Sequence, residues 1–285
     1  MTITVTAATG NLGRLAIQAL LDQGVPAGDI VAAVRSPEKA ADLAAQGVQV
    51  READYSKPET LSTALAGTDK LLLISGSEVG QRIPQHTNVV NAAVAAGVSL
   101  IVYTSALRAD TADLPVAPDH KATEEIIRSS GLPYVFLRNG WYLENYTENL
   151  APALEHGAIL GSAGDGKVSA ATRADYAAAA AAVLTGDGPT NTAYELGGDQ
   201  AFTMSELAAE VAKQSGKEVA YRDLPAADYA QALVGFGLPE VYAEVLAGCD
   251  VSVSKGELFV DTGDLTRLIA RPTTPLSTAV ATALA

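Results

Sequence analysis

A chain of 285 residues, 48% of them hydrophobic and 18% charged, can bury a full core, with length for one large α/β domain and a small second lobe. Its formal net charge of −14 makes nucleic acid and anionic lipid surfaces poor partners, because such a field repels phosphate over roughly a Debye length. The single cysteine, Cys249, excludes an intrachain disulfide, a CxxC redox pair and a cysteine-based zinc site, and it fits a reducing cytoplasm.

The opening residues, MTITVTAATG, lack a basic leader region and read as a first strand. The longest run of small apolar residues, 177–184, is too short to cross a bilayer, so the expectation is a soluble protein without a membrane partner. Strands are predicted over 2–6, 30–34, 48–51, 70–74, 100–104 and 134–137, with helices over 12–21, 37–45, 58–66, 81–96 and 120–129 between them. This alternation predicts an α/β fold with a Rossmann doubly wound parallel sheet. Beyond Trp141 the rhythm lengthens, and helical spacing over 205–214, 226–234 and 241–246 predicts a smaller, mostly helical lobe that covers the sheet domain's ligand. A helix over 175–184 followed by a strand over 193–196 reads as a return to the sheet. The expected division is therefore residues 1–150 and 173–198 for the sheet domain, and 151–172 and 199–285 for the lobe.

Between the first strand and first helix stands Thr6-Ala7-Ala8-Thr9-Gly10-Asn11-Leu12-Gly13. A glycine-rich turn there aims helix N-terminal amides at a pyrophosphate, with Gly10 allowing close approach and Gly13 allowing the helix to pack on the strand. Ala7 occupies the position where a first glycine makes the tight turn. About twenty residues further on, at the end of the second strand, an NAD enzyme places an acidic residue for the ribose 2′-hydroxyl. Here that place holds Arg35, with Lys39 one turn later, a pairing suited to a 2′-phosphate and hence to NADPH. Loops after the following strands converge on the same crevice and add Asp54 with Tyr55, Ser75-Gly76-Ser77, and Thr104-Ser105. Asp54 is placed to accept from an adenine amino group and Ser75 to touch a ribose, although each residue type serves equally as a turn or cap.

Ketone-reducing short-chain dehydrogenases use a Tyr with a Lys four residues later, and none of the ten tyrosines has that partner. Ketone reduction creates a basic alkoxide that needs a proton donor. A quinone accepts hydride to give a delocalised, weakly basic anion, for which orientation and electrostatics suffice. No side chain is therefore assigned as the acid. Trp141 and Tyr142, after the sixth strand, are the substrate-facing aromatics, able to stack on a flat acceptor or to pack as a hinge. His86 and His120 read first as caps or surface groups, their spacing supports no metal site, and no Gly-x-Ser-x-Gly elbow is present.

The segments TAATGNLG, IVAAVRSPEKA, LLLISGSEVGQRIPQHTNVVNAA, VYTSALRADT, YVFLRNGWYLENY and GDGKVSAATRADYAAAA together resemble the type 2 NAD(P)H:quinone oxidoreductases, NmrA-like atypical short-chain dehydrogenases. The likeness runs over essentially the whole chain, and SGSEVGQR with LRNGWYLENY makes it narrow. It implies flavin-independent, NADPH-dependent quinone reduction in the cytoplasm, and it is compatible with a homodimer. It also implies cofactor contacts from the glycine turn (Ala7, Ala8, Thr9, Gly10, Asn11, Leu12 and Gly13), from Arg35, from Ser75 to Ser77, from Asn139, Gly140, Trp141, Tyr142 and Leu143, and from Arg173. Two alternatives stay open: reduction of another planar electron-poor compound such as a triphenylmethane dye, and an NADP-sensing regulator that turns nothing over.

Overall fold

The computed structural model describes residues 1–78 and 80–285. In chain order the elements are β1 (Ile3–Thr6), α1 (Asn11–Asp22), β2 (Ile30–Val34), α2 (Ala41–Ala45), β3 (Gln49–Glu52), α3 (Pro58–Ala64), β4 (Lys70–Leu73), α4 (Arg82–Ala96), β5 (Leu100–Ala106), α5 (Ala117–Ser129) and β6 (Tyr134–Asn139). There follow α6 (Glu144–Thr147), α7 (Ala151–His156), β7 (Ala158–Gly161), α8 (Arg173–Thr185), β8 (Thr192–Leu196), α9 (Met204–Ser215), β9 (Ala220–Asp223), α10 (Ala226–Gly235), α11 (Glu240–Ser254), α12 (Asp264–Ile269) and α13 (Leu276–Leu284).

The chain divides into two compact units. The first comprises Met1–Ala109, Asp119–Asn139 and Arg173–Tyr194, the second Asp110–Pro118, Gly140–Thr172 and Glu195–Ala285. The expected boundaries at 150 and 198 therefore fall earlier, and residues 110–118, expected in the sheet domain, belong to the second unit. No composition shift marks that excursion.

A seven-stranded sheet with the order β3-β2-β1-β4-β5-β6-β8 organises the first unit, and its first six strands pair in parallel. The order reverses between β1 and β4, so loops leaving the carboxyl ends of neighbouring strands diverge there and open a crevice. β2, IVAAV, is buried at every position, as a strand covered on both faces must be. Leu12, Ala16, Ile17 and Leu20 make the buried stripe of α1. That stripe helix packs against α8, where Ala177, Ala180 and Ala181 keep the facing surface low. Lys70, at the start of β4, donates its ammonium to the last carbonyls around α8, Leu184 O at 2.8 Å and Gly186 O at 3.3 Å.

In the second unit β7 and β9 form a two-stranded parallel sheet in the register Ala158↔Ala220. Helix α9 starts with a complete capping box: Thr203 Oγ1 accepts from the Glu206 amide at 3.2 Å, and Glu206 Oε2 accepts from the Thr203 amide at 2.7 Å. Among the described residues no helix is long and apolar enough to cross a membrane.

Candidate nucleotide-binding site

The turn after β1 is built around Ala7, which adopts φ +47°, the left-handed region that normally favours glycine. Its carbonyl accepts from the Gly10 amide at 2.9 Å and closes the turn. Gly13 is the position that tolerates no side chain, because an added Cβ would overlap the Ala7 carbonyl oxygen and lie 2.8 Å from Ala8 Cα. Ala7 thus keeps the tight turn at the expense of some backbone strain, and Gly13 lets α1 start directly against it. Gly10, the residue before α1, provides no side-chain cap, and no acidic residue stands in the first turn, so the amides there are open to an anion.

A cavity of about 450 Å³ opens at this point, at the carboxyl ends of β1 to β4. Of the expected contacts, Ala7, Thr9, Gly10, Arg35, Lys39, Asp54, Ser75, Gly76 and Ser77 line it, together with Tyr55. Residues separated by up to about seventy positions are brought to one crevice. Arg14, Glu78 and Gln85 line it too, and none of these was singled out from the sequence. Arg14 pairs with Asp42 and donates to the Lys39 carbonyl at 2.7 Å, which joins the start of α1 to the segment after β2. Asp54 is held by its own turn: its Oδ1 accepts from the Ser56 amide at 2.9 Å and Lys57 lies 3.6 Å from Oδ2. Three cations, Arg14, Arg35 and Lys39, border the cavity of a chain whose overall charge is −14. Two carboxylates, Asp54 and Glu78, line it as well, so the lining carries one more cation than anion, the direction an anionic dinucleotide needs.

The loop after β4 is gripped from beneath. Ser75 N donates to Thr104 Oγ1 at 2.9 Å, Arg82 Nε donates to Gly76 O at 2.9 Å, and Gly76 N donates to His86 Nε2 at 3.0 Å. His86 Nε2 is therefore an acceptor, its proton sits on Nδ1, and Nδ1 donates to Thr123 Oγ1 at 2.9 Å. Thr123 passes the direction on by donating to Asp119 O at 2.9 Å. His86 is fully buried and His120 nearly so, with Nδ1 of His120 2.8 Å from the Tyr103 hydroxyl. The cap or surface reading of both histidines is corrected accordingly: they are core groups beneath the loop.

Burial, and secondarily Arg82, pushes the His86 imidazole down to about 3, while burial, then Arg82 and His86, holds His120 well below its ordinary value. Both shifts are depressions of a base. The unfolded chain then takes up protons that the fold refuses, so stability is intact above the ordinary imidazole value of about 6.5 and falls as the pH drops below it. An NMR pH series is expected to show neither ring titrating between about pH 5 and 8, with His86 protonated on Nδ1 throughout. A midpoint near 6.5 for His86 would mean that its ring is solvated and does not grip the loop.

The remaining expected contacts lie elsewhere. Ala8, Leu12 and Gly13 are buried behind the turn, and Asn11 opens α1. Ser105 is also buried, and its hydroxyl donates to Glu124 Oε1 at 2.7 Å, so its side chain serves the interior and is not presented to the cavity. Asn139 ends β6 with a buried Oδ1 that has no hydrogen-bond partner among the described residues, an acceptor in want of a donor. In the second unit Gly140 donates to Leu196 O at 2.8 Å, Trp141 O accepts from Ala171 N at 3.1 Å, and Leu143 N donates to Ala171 O at 2.9 Å. The half-buried rings of Trp141 and Tyr142 therefore stand on a fixed backbone. Arg173 is the first residue of α8. Val79, within the SGSEVGQR segment, lies outside the described residues. Among the described residues no cluster of three His, Cys, Asp or Glu side chains is arranged to hold a metal ion.

A seven-stranded Rossmann-type sheet with a glycine-rich first turn and a cation-bordered cavity at the strand-order reversal defines a dinucleotide-binding α/β protein. Residues 1–263 match the NmrA-like family, and the chain belongs to that family. It is 55% identical over 278 residues to quinone oxidoreductase 2 of Escherichia coli (strain K12), covering 98% of this chain and 97% of that protein. It superposes on the crystal structure of an NADPH-dependent quinone oxidoreductase from Escherichia coli complexed with NADPH, with a TM-score of 0.97, 54% identity and full coverage of both chains. Citrobacter sp. triphenylmethane reductase complexed with NADP(H) is similar at a TM-score of 0.95 and 44% identity, over 99% of this chain and 100% of that one.

Proposed function

We propose that this chain is a flavin-independent, NADPH-dependent quinone oxidoreductase of the cytoplasm. The observation that carries the reading is the cavity at the β1/β4 reversal, which Arg35 and Lys39 line beside the uncapped first turn of α1; this supports a 2′-phosphate on the two cations and a pyrophosphate on the turn. The likeness to the Escherichia coli enzyme supports both cofactor and acceptor. Cys249 is the only cysteine, which agrees with a reducing compartment.

When bound, NADPH supplies the hydride. The protein's part is to hold and orient: Arg35 and Lys39 fix the phosphate-bearing ribose, the Ser75 to Ser77 loop is kept in shape by His86, Arg82 and Thr104, and Asn139 offers its unpartnered Oδ1 to the carboxamide amine. Gly140, Leu143 and Arg173 complete the proposed cofactor contacts. Trp141 and Tyr142 are the residues proposed to stack on the flat acceptor.

This chain's thiol is not an electron store. Burial, then Asp250, pushes Cys249 up to about 12, and it has no second cysteine to pair with. Direct hydride transfer in a sequential reaction, with both substrates bound together, is the proposed course. The test is a steady-state assay following nicotinamide absorbance with purified protein, NADPH and a benzoquinone, nonenzymatic reduction subtracted. Intersecting initial-rate lines are expected. Parallel lines would contradict the sequential order, and no turnover of any acceptor would leave a nucleotide-sensing regulator. A triphenylmethane dye belongs in the same assay because of the 44% identity to the Citrobacter reductase; preference for the dye would move the acceptor assignment and leave the cofactor site unchanged.

A further inference from the structure

Arg35 does not border the cavity alone. Its Nη1 lies 2.6 Å from Glu78 Oε1, and both side chains are largely open to solvent at 68% and 48% exposure. Glu78 is not free to swing away without loss, because Oε2 accepts from Gln85 Nε2 at 2.8 Å, and Gln85 also donates to Ser56 Oγ at 3.1 Å. The carboxylate is therefore stationed by the first turn of α4 beside the guanidinium proposed to read the cofactor's 2′-position. Arg35, Glu78 and Gln85 line the same cavity.

Resting on the cofactor reading above, we infer that Glu78 is a specificity-determining residue that tempers the preference for the phosphorylated dinucleotide. A 2′-phosphate and the Glu78 carboxylate are both anions and both seek one guanidinium, so phosphate binding has to share or displace that partner. Lys39 supplies the second cation that makes sharing feasible. For the unphosphorylated dinucleotide the balance reverses: the ribose 2′-hydroxyl donates to a carboxylate as it does to the acidic residue of NAD enzymes, and Arg35 keeps its ion pair. Glu78 thus holds the site open to NADH while Arg35 and Lys39 favour NADPH.

The test is Glu78→Gln, which removes the charge but keeps an acceptor oxygen for Gln85. Dissociation constants for NADPH and NADH are measured by nicotinamide fluorescence on wild type, Glu78→Gln, Arg35→Ala and Arg35→Ala/Glu78→Gln. Because the pair is exposed, the expected effect is moderate: NADPH binds about threefold to tenfold more tightly to Glu78→Gln, and NADH binds no better or a few-fold worse. In the background without Arg35 the gain in NADPH affinity from Glu78→Gln should shrink, because no guanidinium is left to compete for and only relief of direct repulsion remains. An NADPH-to-NADH affinity ratio that is the same in Glu78→Gln and wild type overturns the inference. Failure of wild type to bind either nucleotide would instead overturn the cofactor reading, so the two outcomes are distinct. Unfolding curves of the variant should overlay those of wild type, since an exposed pair contributes little to stability.

Discussion

Glu124→Ala is expected to destabilise the fold by about 3–5 kcal/mol, because it strips the partner from a buried charge cluster. Glu124 is fully buried on α5. Its Oε1 accepts from Ser105 Oγ at 2.7 Å and Arg138 Nε at 2.9 Å, and its Oε2 accepts from Arg138 Nη2 at 2.8 Å and Arg128 Nη2 at 2.9 Å. Arg138 is gripped bidentately and is itself only 7% exposed, so the alanine variant takes the carboxylate away from its Nε and Nη2 in a buried setting. Arg128 is less affected, since it is 40% exposed and lies 4.9 Å from the Phe136 ring centre. The position also braces two neighbouring strand ends. Ser105 and Arg138 are register partners on β5 and β6, and the next pair is Ala106 with Asn139, so Glu124 ties together the strand ends that carry Asn139. Urea unfolding monitored by circular dichroism checks the prediction, with Glu124→Gln expected to lose less because it keeps the volume and one acceptor. A loss below about 1 kcal/mol for the alanine variant would mean that the cluster is solvated and not a buried strut.

How much of this was legible in the sequence depends on the range over which the determining contact acts. β2 was predicted at its observed bounds, because IVAAV is an unbroken apolar run ended by a charge. The turn after β1 was legible since its requirements are local: a glycine where α1 meets the strand, and amides at a helix start. The return of the chain to the sheet at β8 was also visible, from a helix-length run followed by a short strand-like segment. By contrast β7 and β9 went unpredicted, being four residues each and mostly exposed or half-exposed, without an alternating pattern. Helix α11 was expected over six residues and runs over fifteen. Gly248 interrupts its apolar rhythm, and the reason lies on another segment, since a Cβ there would lie 2.8 Å from Pro115 Cγ.

The same distinction separates the site residues. Arg35 was expected at this crevice and lines it, because its distance from the glycines along the chain is set by the fold itself. Glu78 was not, because its meaning depends on a partner 43 residues away. His86 was misjudged for a related reason: composition cannot tell a solvated imidazole from one whose two nitrogens are both engaged, Nε2 by Gly76 and Nδ1 by Thr123. Ser105 sits at a strand end where a cofactor contact was expected, but its direction is decided by a buried carboxylate on α5. A residue's place along a strand is thus readable from sequence, whereas the atom its side chain points at is settled by packing.

Arg35→Asp is expected to invert the cofactor preference. The substitution removes a charge-assisted hydrogen bond worth roughly 1.5–3 kcal/mol and puts a carboxylate against the 2′-phosphate, so NADPH affinity should fall about tenfold to several-hundredfold. Glu78 enlarges the effect. In wild type its charge is partly answered by Arg35 at 2.6 Å, whereas in the variant two carboxylates would face the phosphate, with Lys39 and Arg14 the remaining cations of the cavity. NADH, with a 2′-hydroxyl that can donate to the new carboxylate, should lose little or gain. Salt separates charge from shape. The Arg35 side chain is 68% exposed, so raising the ionic strength from about 0.05 to 0.5 M should weaken NADPH binding to wild type by screening an attraction, and should weaken it less or even strengthen it in the variant by screening a repulsion. Four dissociation constants at two salt concentrations decide the matter, with intact near-ultraviolet circular dichroism confirming that the variant is folded. If the NADPH-to-NADH ratio is unchanged by the substitution, Arg35 is a solvated strand-end residue, and the 2′-phosphate must be read by one of the other two cations that line the cavity, Arg14 or Lys39.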